Sequence, residues 1–369
     1  KVRLQPYAIA MTSSMIQRHM EGRDRATLID FVQTAVDDAE ENGIEVIGFG
    51  NFTSIIAQNC KAIPNESLAL TTGNSLTVGM GYEALLYAAK EAGIEISHGC
   101  FAAVGANGNI GTVYSELMVE HVPEVILIGR PGRENALEQV AAQLYAATFF
   151  EEILGRPHTP EQPGDHVMAN RIRETPTVRA LVSDPAVCLP DVDRLAIGRQ
   201  IYTGLLEEAR ASGERAPVWV STDPADVRYA NLILGTSSQS GSLIHADNLR
   251  EDAVVICDVA LPADTDESVF RLRPDVTVLL GGEVRVPPAP ADVAVLNTNS
   301  EARDFMVEGV PIRPDHMFAC MCETVLLGMT GITSSYSIGE VRKNRVREIL
   351  DIARVHGFSL GALKTGHTL

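Results

Sequence analysis

The chain has 369 residues, 45% of them hydrophobic and 21% charged, which is typical of a globular protein large enough for two domains. Its formal net charge of −18 argues against nucleic acids and anionic membrane surfaces as partners, because neutralising phosphates requires clustered Lys and Arg. The longest apolar runs have the length of strands, so we expect no transmembrane segment. With no N-terminal signal pattern, we also expect a cytoplasmic location.

The first 97 residues are predicted to form a small α/β substrate domain. Apolar residues recur at helical spacing from 24 to 42, "IEVIGFG" is typical of a strand, and a second helix is predicted from about 75 to 92. Gly43 and Gly93 follow the two helices, at the position where a glycine commonly ends a helix. This alternation of strand and helix indicates an α/β layer.

Residues 98 to 309 are predicted to form a larger domain. The strand "CFAAVG", the helix "NIGTVYSELMVEH" and the strand "EVILIGR" make a βαβ unit. Four further β-rich runs follow, "PVWVS", "ANLILGTS", "AVVICDV" and "VTVLLGG". The sequence therefore predicts a Rossmann-type doubly wound parallel sheet.

A helical insertion is predicted inside this larger domain, from about 134 to 216. Two helical patterns, "RENALEQVAAQLYAATFFEEILG" and "DVDRLAIGRQIYTGLLEEARASG", lie on either side of the Pro-rich run "RPHTPEQPGD". A crossover between parallel strands usually needs one helix. We interpret the extra helices as a cap on the sheet, with a lid or docking surface as the alternative.

The last part of the chain, from 310 to 369, is predicted to form two helices, about 314 to 329 and 339 to 356. They follow the Pro-rich turn "VRVPPAPAD", where the predicted sheet is already complete. We therefore expect them to return to the N-terminal domain and complete it.

The turn between the first strand and helix of the larger domain, "VGANGNIG", predicts a dinucleotide site. Gly105 permits a tight turn, Gly108 lets the backbone approach a pyrophosphate, and Gly111 lets helix and strand pack closely. The start of the helix supplies N–H groups and the positive end of a dipole. The other cofactor-binding candidates in this loop are Asn107, Asn109 and Ile110.

Arginines stand where an NAD-binding sheet carries an acidic residue for the ribose hydroxyl. Arg130 follows the second strand, 19 positions after Gly111, and Arg133 comes shortly after it. A guanidinium group binds a 2′-phosphate well, whereas a carboxylate repels it. We therefore predict NADP(H) rather than NAD(H). Further cofactor contacts are predicted from residues that follow later strands: Thr236, Ser237 and Gly282.

Cysteines are scattered along the chain, at positions 60, 100, 188, 257, 320 and 322, and their spacing predicts no metal centre. The segment "RPDHMFACMCETVLLG" is predicted to be a helix that starts near Pro314. In such a helix His316 and Cys320 share one face, and a protonated imidazole beside a thiol favours the reactive thiolate. By itself Cys320 would still be interpreted as a buried core cysteine, with a nucleophile assisted by His316 as the alternative.

Four stretches of the chain resemble the long-chain acyl-[acyl-carrier-protein] reductases of cyanobacteria, which make fatty aldehydes from acyl thioesters. They are "GFGNFTSII", "TTGNSLTVG", "VGANGNIGTV" and "HMFACMCETVLLG", and a weaker similarity continues through "VRKNRVREILDIARVHGF". The resemblance implies that Cys320 accepts the acyl group and that the glycine loop binds NADPH. It also implies a thioester of acyl-carrier protein or coenzyme A as the acyl donor.

Reduction of a thioester places negative charge on its carbonyl oxygen, so hydrogen-bond donors are expected near Cys320. The loops "GNFTS" and "TTGN" offer five candidate side chains: Asn51, Thr53, Ser54, Thr72 and Asn74. Residues of these types also cap helices, and we expect Ser75 to cap the helix that begins at Leu76. Among the five we favour Thr72 and Asn74 as residues that line the site.

Together these features predict an NADPH-dependent enzyme that reduces an acyl thioester to an aldehyde through a cysteine-bound intermediate. Two alternatives stay open at this point. One is a reductase similar to shikimate dehydrogenase, which transfers hydride directly to a small carbonyl compound. The other is a non-catalytic NADP-binding module of a larger protein, an interpretation suggested by Lys1 at the start and by the helical insertion.

Overall fold

The computed structural model describes residues 4–5, 7, 9, 11, 13–22, 24–50, 52–64, 67–155, 165–239, 241–260, 262–287 and 316–361. These residues form two compact units. Unit 1 contains the described residues up to Gly81 together with those from Gly281 onward. Unit 2 contains those from Tyr82 to Leu280. The C-terminal helices therefore belong to the same unit as the N-terminal residues.

The strands, numbered in chain order, are short. They are β1 (Val46–Gly48), β2 (Ala69–Thr71), β3 (Cys100–Val104), β4 (Glu124–Ile128), β5 (Val218–Ser221), β6 (Leu232–Gly235), β7 (Val255–Asp258), β8 (Thr277–Leu280), β9 (Glu283–Arg285), β10 (His316–Phe318) and β11 (Ser359–Leu360).

The α-helices vary more in length. They are α1 (Ser13–Glu21), α2 (Arg25–Glu41), α3 (Phe52–Ile56), α4 (Asn74–Glu91), α5 (Asn109–Met118), α6 (Glu134–Ala147), α7 (Val167–Ile172), α8 (Pro176–Val182), α9 (Arg194–Ser212), α10 (Glu267–Leu272), α11 (Ala319–Thr330) and α12 (Lys343–Val355). A π-helix, Thr148–Ile153, continues α6 directly. Within the described ranges, no helix is both long enough and apolar enough to cross a membrane.

Six parallel strands form the sheet of unit 2, in the order β5-β4-β3-β6-β7-β8. In the middle of the sheet, Ala102 of β3 lies opposite Ile126 of β4 and Ile233 of β6. The strand order reverses between β3 and β6, and sheets of this kind bind ligands at the carboxyl ends of the strands beside that point. Because β3 is buried along its whole length, it reads in the sequence as a continuous apolar run. The predicted Rossmann-type fold is confirmed.

Several helices lie between β4 and β5, where one would suffice for the crossover. Two of them, α6 and α9, pack so closely that a Cβ at Gly198 would lie 2.0 Å from the carbonyl oxygen of Ala142. Tyr145 of α6 is fully buried, and its hydroxyl accepts a hydrogen bond of 2.8 Å from the backbone N–H of Val218 on β5. These contacts hold α6 against the edge of the sheet and support the interpretation of the insertion as a cap.

Unit 1 contains two small sheets. β1 and β2 pair in parallel, and β9 pairs with β10 and β11 in antiparallel fashion. Helix α2 buries Leu28, Val32, Val36 and Ala39, whose spacing places them on the face that packs into the core of this unit. The helix predicted from 24 to 42 is thus confirmed.

The helix predicted from Pro314 is wrong at its start, and Pro314 itself lies outside the described residues. His316 begins the strand β10, which pairs with β9 through Met317 and Val284, and α11 begins at Ala319. His316 and Cys320 therefore do not share a helix face. Pairing with a strand distant in the sequence overrides the local helical spacing, as tertiary context often does.

The two units divide inside α4, between Gly81 and Tyr82, rather than at the predicted 97/98. The second division lies at 280/281 instead of 309/310. Within unit 1, the early part of α4 packs on α12, where a Cβ at Gly79 would lie 2.7 Å from Cγ of Leu350. Tyr82 is hydrogen-bonded to His121 within unit 2. One long helix thus contributes to both units, which is why its end is not the boundary.

Candidate functional site

The loop between β3 and α5 has the form that a dinucleotide site requires. Gly105 has a φ of +86°, and a Cβ there would lie 2.9 Å from the carbonyl carbon of Thr236. A Cβ at Gly111 would lie 2.7 Å from the carbonyl oxygen of Gly105, and Gly108 is exposed at the N-cap of α5. These glycines keep the loop tight and its backbone open to a pyrophosphate, so the residues fit the predicted cofactor. The other loop candidates are Asn107, which is exposed, and Asn109 and Ile110, which are half-buried.

Two arginines lie exposed in the loop that follows β4. Nη2 of Arg130 donates a hydrogen bond of 2.9 Å to Oγ of Ser238, which follows β6, and Arg133 is the N-cap residue of α6. The carboxylate of Glu134, the first residue of α6, accepts a hydrogen bond of 3.0 Å from the backbone N–H of Gly132 in this loop. Because this carboxylate is engaged by the loop, Arg130 and Arg133 stay the candidates for a 2′-phosphate.

The turn after β6 lies directly beside the glycine loop. The hydroxyl of Thr236 donates a hydrogen bond of 3.0 Å to the carbonyl oxygen of Val104, at the end of β3. Ser237 is buried, and the Asp264 carboxylate accepts hydrogen bonds from its hydroxyl and, at 2.8 Å, from its backbone N–H. Sequence reasoning missed Asp264, because no local pattern marks a carboxylate 27 residues away as the support of this turn.

The stability of the parent and of Asp264→Asn is expected to depend differently on pH. Burial raises the pKa of Asp264 to about 6, against the hydrogen bonds from Ser237 and with help from the nearby charge of Asp258. The folded pKa lies above the ordinary 3.8, so the folded protein binds this proton more tightly than the unfolded chain does. The parent should therefore gain stability relative to the variant as the pH falls from about 6 to about 4. Thermal unfolding of both proteins across that range measures the difference.

Asp266→Asn is the matched control for this prediction. Hydrogen bonds from Ser268 lower the pKa of Asp266, so its contribution to stability is present at neutral pH and is lost as the pH falls. Between about pH 6 and about pH 4 the parent should change little relative to Asp266→Asn, and it should lose stability relative to that variant only as the pH falls below about 3.8, the ordinary pKa of an aspartate. Parallel unfolding profiles for the parent and Asp264→Asn would contradict the assignment of the raised pKa.

Cys320 lies in the first turn of α11, where the N-terminal end of a helix stabilises a thiolate. Its sulfur is close to Gly50, since a Cβ built there would lie 3.5 Å from Sγ. A Cβ at Gly73 would lie 2.2 Å from Cα of Cys320, and one at Gly48 would lie 1.8 Å from Oγ1 of Thr324. The glycines of "GFGN" and "TTGN" thus let α11 pack directly against the ends of β1 and β2.

The environments of the cysteines distinguish Cys320 from most of the others. Burial raises the pKa of Cys60, Cys257 and Cys322 to about 12. It also raises the pKa of Cys100. These groups stay protonated and unreactive near neutral pH. Cys320 is half-buried, and Cys188 is exposed at the end of a short 3₁₀-helix. Because only Cys320 of these two lies in the first turn of an α-helix, it is the better candidate nucleophile.

Glu323, one turn after Cys320 on α11, is completely buried and joins three segments of unit 1. Its carboxylate accepts hydrogen bonds from the Ser337 hydroxyl at 2.6 Å, from the Leu76 backbone N–H at 2.8 Å and from the Thr71 hydroxyl. Burial raises the pKa of Glu323, and these hydrogen bonds oppose that shift. Sequence reasoning missed this residue, because Thr71 and Leu76 precede it by 252 and 247 positions.

The predicted oxyanion donors that the structure describes lie in unit 1, in α3, at the start of α4 and in the turn between β2 and α4, but two of the hydroxyls already have acceptors. The hydroxyl of Thr53 donates a hydrogen bond of 2.6 Å to the carbonyl oxygen of Gly50. The hydroxyl of Thr72 donates a hydrogen bond of 3.0 Å to the carbonyl oxygen of Ser337, and the Thr72 side chain is buried. Ser54 is buried as well. These residues therefore shape the loops, and their contact with a substrate stays a prediction.

Asn74 is half-buried and is the first residue of α4, and its contact with a substrate stays a prediction. The predicted cap role of Ser75 is wrong, because α4 already includes this residue. The Ser75 hydroxyl is buried and lies 2.7 Å from that of Ser337. The prediction for Asn51 falls outside the described residues.

His316 and Gly282 both lie in unit 1. His316 is buried on β10, with Nε2 4.0 Å from Oε1 of Glu283. The carbonyl oxygen of Gly282 accepts a hydrogen bond of 2.6 Å from the backbone N–H of Ala319, at the start of α11. Gly282 thus supports the helix that carries Cys320. Its contact with a dinucleotide, and the assistance of His316 to the thiol, stay predictions.

The known proteins that are similar to this chain include an aminotransferase and an acyl-[acyl-carrier-protein] reductase. Aminotransferase PigE of Serratia sp. is 23% identical over 337 residues, which cover 91% of this chain and 30% of PigE. The long-chain acyl-[acyl-carrier-protein] reductase of Synechococcus elongatus is 35% identical over 89 residues, 22% of this chain and 26% of the reductase. No family model matches the chain. The chain thus spans less than a third of the length of either curated relative.

The predicted resemblance to the reductases is therefore confirmed for part of the chain. The longer similarity is to a protein named for another reaction, amino transfer. Both relatives are enzymes by name, which favours an enzyme here as well.

Proposed function

We propose that this protein reduces an acyl thioester to an aldehyde with NADPH, through an acyl group carried on Cys320. The observation that carries the proposal is the setting of this thiol in the first turn of α11, packed against Gly50 and Gly73. The partial similarity to an acyl-[acyl-carrier-protein] reductase supports the same reaction. We propose a thioester of acyl-carrier protein or of coenzyme A as the donor.

In the proposed reaction the Cys320 thiolate attacks the carbonyl carbon of the donor thioester. The bond from that carbon to the donor sulfur breaks, the donor leaves as a thiol after taking a proton from solvent, and the acyl group is now bound to Cys320. NADPH, when bound, supplies a hydride to the carbonyl carbon. The bond to the Cys320 sulfur then breaks, which releases the aldehyde and restores the thiolate. The N-terminal end of α11 stabilises this thiolate both when it attacks and when it leaves.

The glycine loop of unit 2 supports NADP(H) as the cofactor. We propose that Gly105, Gly108 and Gly111 leave the backbone open to the pyrophosphate, because a side chain at the first or third position would meet the backbone of its own loop or of Thr236. Arg130 and Arg133 would hold the 2′-phosphate, since a guanidinium group pairs with two phosphate oxygens at once.

The similarity to an aminotransferase is compatible with this proposal. The similar stretch amounts to 30% of PigE, and an aldehyde is a class of compound that can accept an amino group. Transamination with pyridoxal phosphate needs a lysine held in a site where it forms a Schiff base. In the described part of the chain, Lys61 and Lys90 are exposed and Lys343 is the first residue of α12. Within the described residues, none of these three lysines is buried in an enclosed site.

The first test is the mass of the intact protein after incubation with an acyl thioester and without NADPH. We expect the parent to gain the mass of one acyl group and Cys320→Ser to gain none, because the serine hydroxyl is not ionised near neutral pH. Cys322→Ser is the matched control, since it removes a buried thiol two residues away and should be acylated like the parent. Addition of NADPH should then discharge the adduct as aldehyde.

Other outcomes of this experiment would favour the alternatives. A parent that stays unmodified with donors based on both coenzyme A and acyl-carrier protein would contradict the covalent route. NADPH oxidation with a small carbonyl compound that persists in Cys320→Ser would then favour direct reduction. NADPH binding without any turnover would favour a non-catalytic module.

A further inference from the structure

We propose that Glu323 is a positioning residue for Cys320, acting through the turn between β2 and α4. The inference rests on the proposed function, in which Cys320 is the nucleophile. It starts from the hydrogen bonds of a buried carboxylate that the reaction scheme does not use. Glu323 has no exposed surface, although an isolated buried carboxylate is strongly unfavourable. Its partners must therefore compensate for the loss of water.

The partners of Glu323 belong to two segments that are far from α11 in the sequence. From the turn after β2, the Thr71 hydroxyl and the Leu76 backbone N–H donate to the carboxylate. From the segment before α12, the Ser337 hydroxyl donates to it at 2.6 Å. The bond from Leu76 places the carboxylate at the N-terminal end of α4, where the helix dipole favours a negative charge.

A continuous chain of contacts leads from Glu323 back to Cys320. The Thr71 hydroxyl, which donates to Glu323, also accepts the backbone N–H of Gly73 at 3.4 Å. Gly73 is the residue whose backbone lies against Cys320, so closely that a Cβ there would be 2.2 Å from Cα of the cysteine. The bond between Thr71 and Glu323 therefore helps to fix the position of this turn relative to the thiol.

The Ser337 side of the network holds the same turn from the other segment. The backbone N–H of Thr72 donates a hydrogen bond of 3.1 Å to the carbonyl oxygen of Ser337. The backbone N–H of Ser337 donates one of 3.2 Å to the Thr71 hydroxyl. Because the Ser337 hydroxyl gives its one hydrogen to Glu323, the Ser75 hydroxyl must be the donor in the 2.7 Å bond between the two serines. Three donors from the two segments, the Thr71 and Ser337 hydroxyls and the Leu76 backbone N–H, converge on one carboxylate, which makes Glu323 the common anchor of the turn.

The experiment compares the reactivity of Cys320 in Thr71→Val, Glu323→Gln and a control. Valine keeps the shape of Thr71 but breaks the link to both Glu323 and Gly73. Glutamine can keep the bonds from both hydroxyls when its amide oxygen takes the place of Oε1, and it gives up the bond from the Leu76 backbone N–H. Thr330→Val makes the same chemical change at the far end of α11, where the hydroxyl donates to the carbonyl oxygen of Leu326.

Two rates are measured for each protein. The first is acyl transfer to Cys320, followed by intact mass. The second is alkylation of Cys320 by iodoacetamide across pH, with the exposed thiol of Cys188 as the internal reference. We expect Thr71→Val to slow acyl transfer about tenfold or more, because small displacements of a reacting group are costly. Thr330→Val should match the parent. Glu323→Gln should stay within about threefold of the parent in acyl transfer, with the midpoint of alkylation moved to lower pH, because a negative charge near the thiol has been removed.

The outcomes separate this inference from the proposed function. Thr71→Val and Thr330→Val with equal rates and equal alkylation profiles would overturn the positioning role. If the parent accepts no acyl group, the proposed function fails, and the alkylation profiles still decide whether Glu323 and Thr71 act on this thiol. Unfolding profiles for every variant identify a loss of rate that comes from unfolding alone.

Discussion

Replacing Gly111 by valine is expected to weaken NADPH binding by about a hundredfold or more. Any Cβ at this position would lie 2.7 Å from the carbonyl oxygen of Gly105 and 2.9 Å from Cα of Ala106. Both are backbone atoms, so the loop itself has to move, and with it the N–H groups that would face the pyrophosphate. The dissociation constant can be measured from the change in NADPH fluorescence on titration with the protein.

Two further variants make this result specific. Gly213→Ala replaces a glycine elsewhere in unit 2 with open space around its Cβ, so it should bind NADPH like the parent. Arg130→Gln leaves the loop intact and should weaken binding of NADPH while leaving that of NADH nearly unchanged, because only NADPH carries the 2′-phosphate. Normal NADPH binding by Gly111→Val would show that the dinucleotide binds at a site other than the glycine loop.

The second large effect is expected from Gly73→Ala, which should destabilise unit 1 by about 3 kcal/mol or more. Gly73 has a φ of +72°, which disfavours any L side chain, and the added Cβ would lie 2.2 Å from Cα and 2.5 Å from the carbonyl oxygen of Cys320. Since these are backbone atoms of α11, the helix that carries the nucleophile must shift. Acyl transfer to Cys320 should fall together with stability.

Gly93→Ala is the matched control for this effect. Gly93 follows the other end of α4 with a φ of +71°, but its Cβ would meet nothing within 4 Å. Its replacement should lower the free energy of unfolding by about 1 kcal/mol, because only the strain of an alanine in a left-handed conformation is added. Denaturant unfolding of both variants therefore separates backbone strain from the clash with Cys320. Equal losses of stability would show that the close approach of Gly73 to α11 does not matter.

The architecture could be predicted where the signal is local. Helix α2 repeats its apolar residues at helical spacing, and β3 is a buried run bounded by a glycine, so each is readable from a short window. The strands of the six-stranded sheet and the loop from Gly105 to Gly111 follow from the same kind of signal. The start of α11 could not be read this way, because β10 exists only through its pairing with β9.

In the candidate site, too, residues marked by a local sequence signal could be predicted and residues brought together by distant segments could not. Cys320 and the glycine loop are marked by motifs of a few residues, and the sequence by itself pointed to both. The sequence also contained "GFGN" and "TTGN", and sequence reasoning selected their polar side chains as site residues. In the structure, Gly50 and Gly73 lie against Cys320.

The amino-acid sequence by itself determined the fold class and predicted the glycine loop as a dinucleotide site, because both depend on neighbours within one turn or one strand. For Cys320 the residues left a core cysteine open, and the resemblance to the acyl-[acyl-carrier-protein] reductases made it the candidate nucleophile. Only the tertiary structure decided that Asp264 supports the turn beside the glycine loop and that Glu323 anchors the turn beside Cys320. A buried carboxylate is stable where donors from separate segments converge on it, and that convergence exists only after the chain has folded.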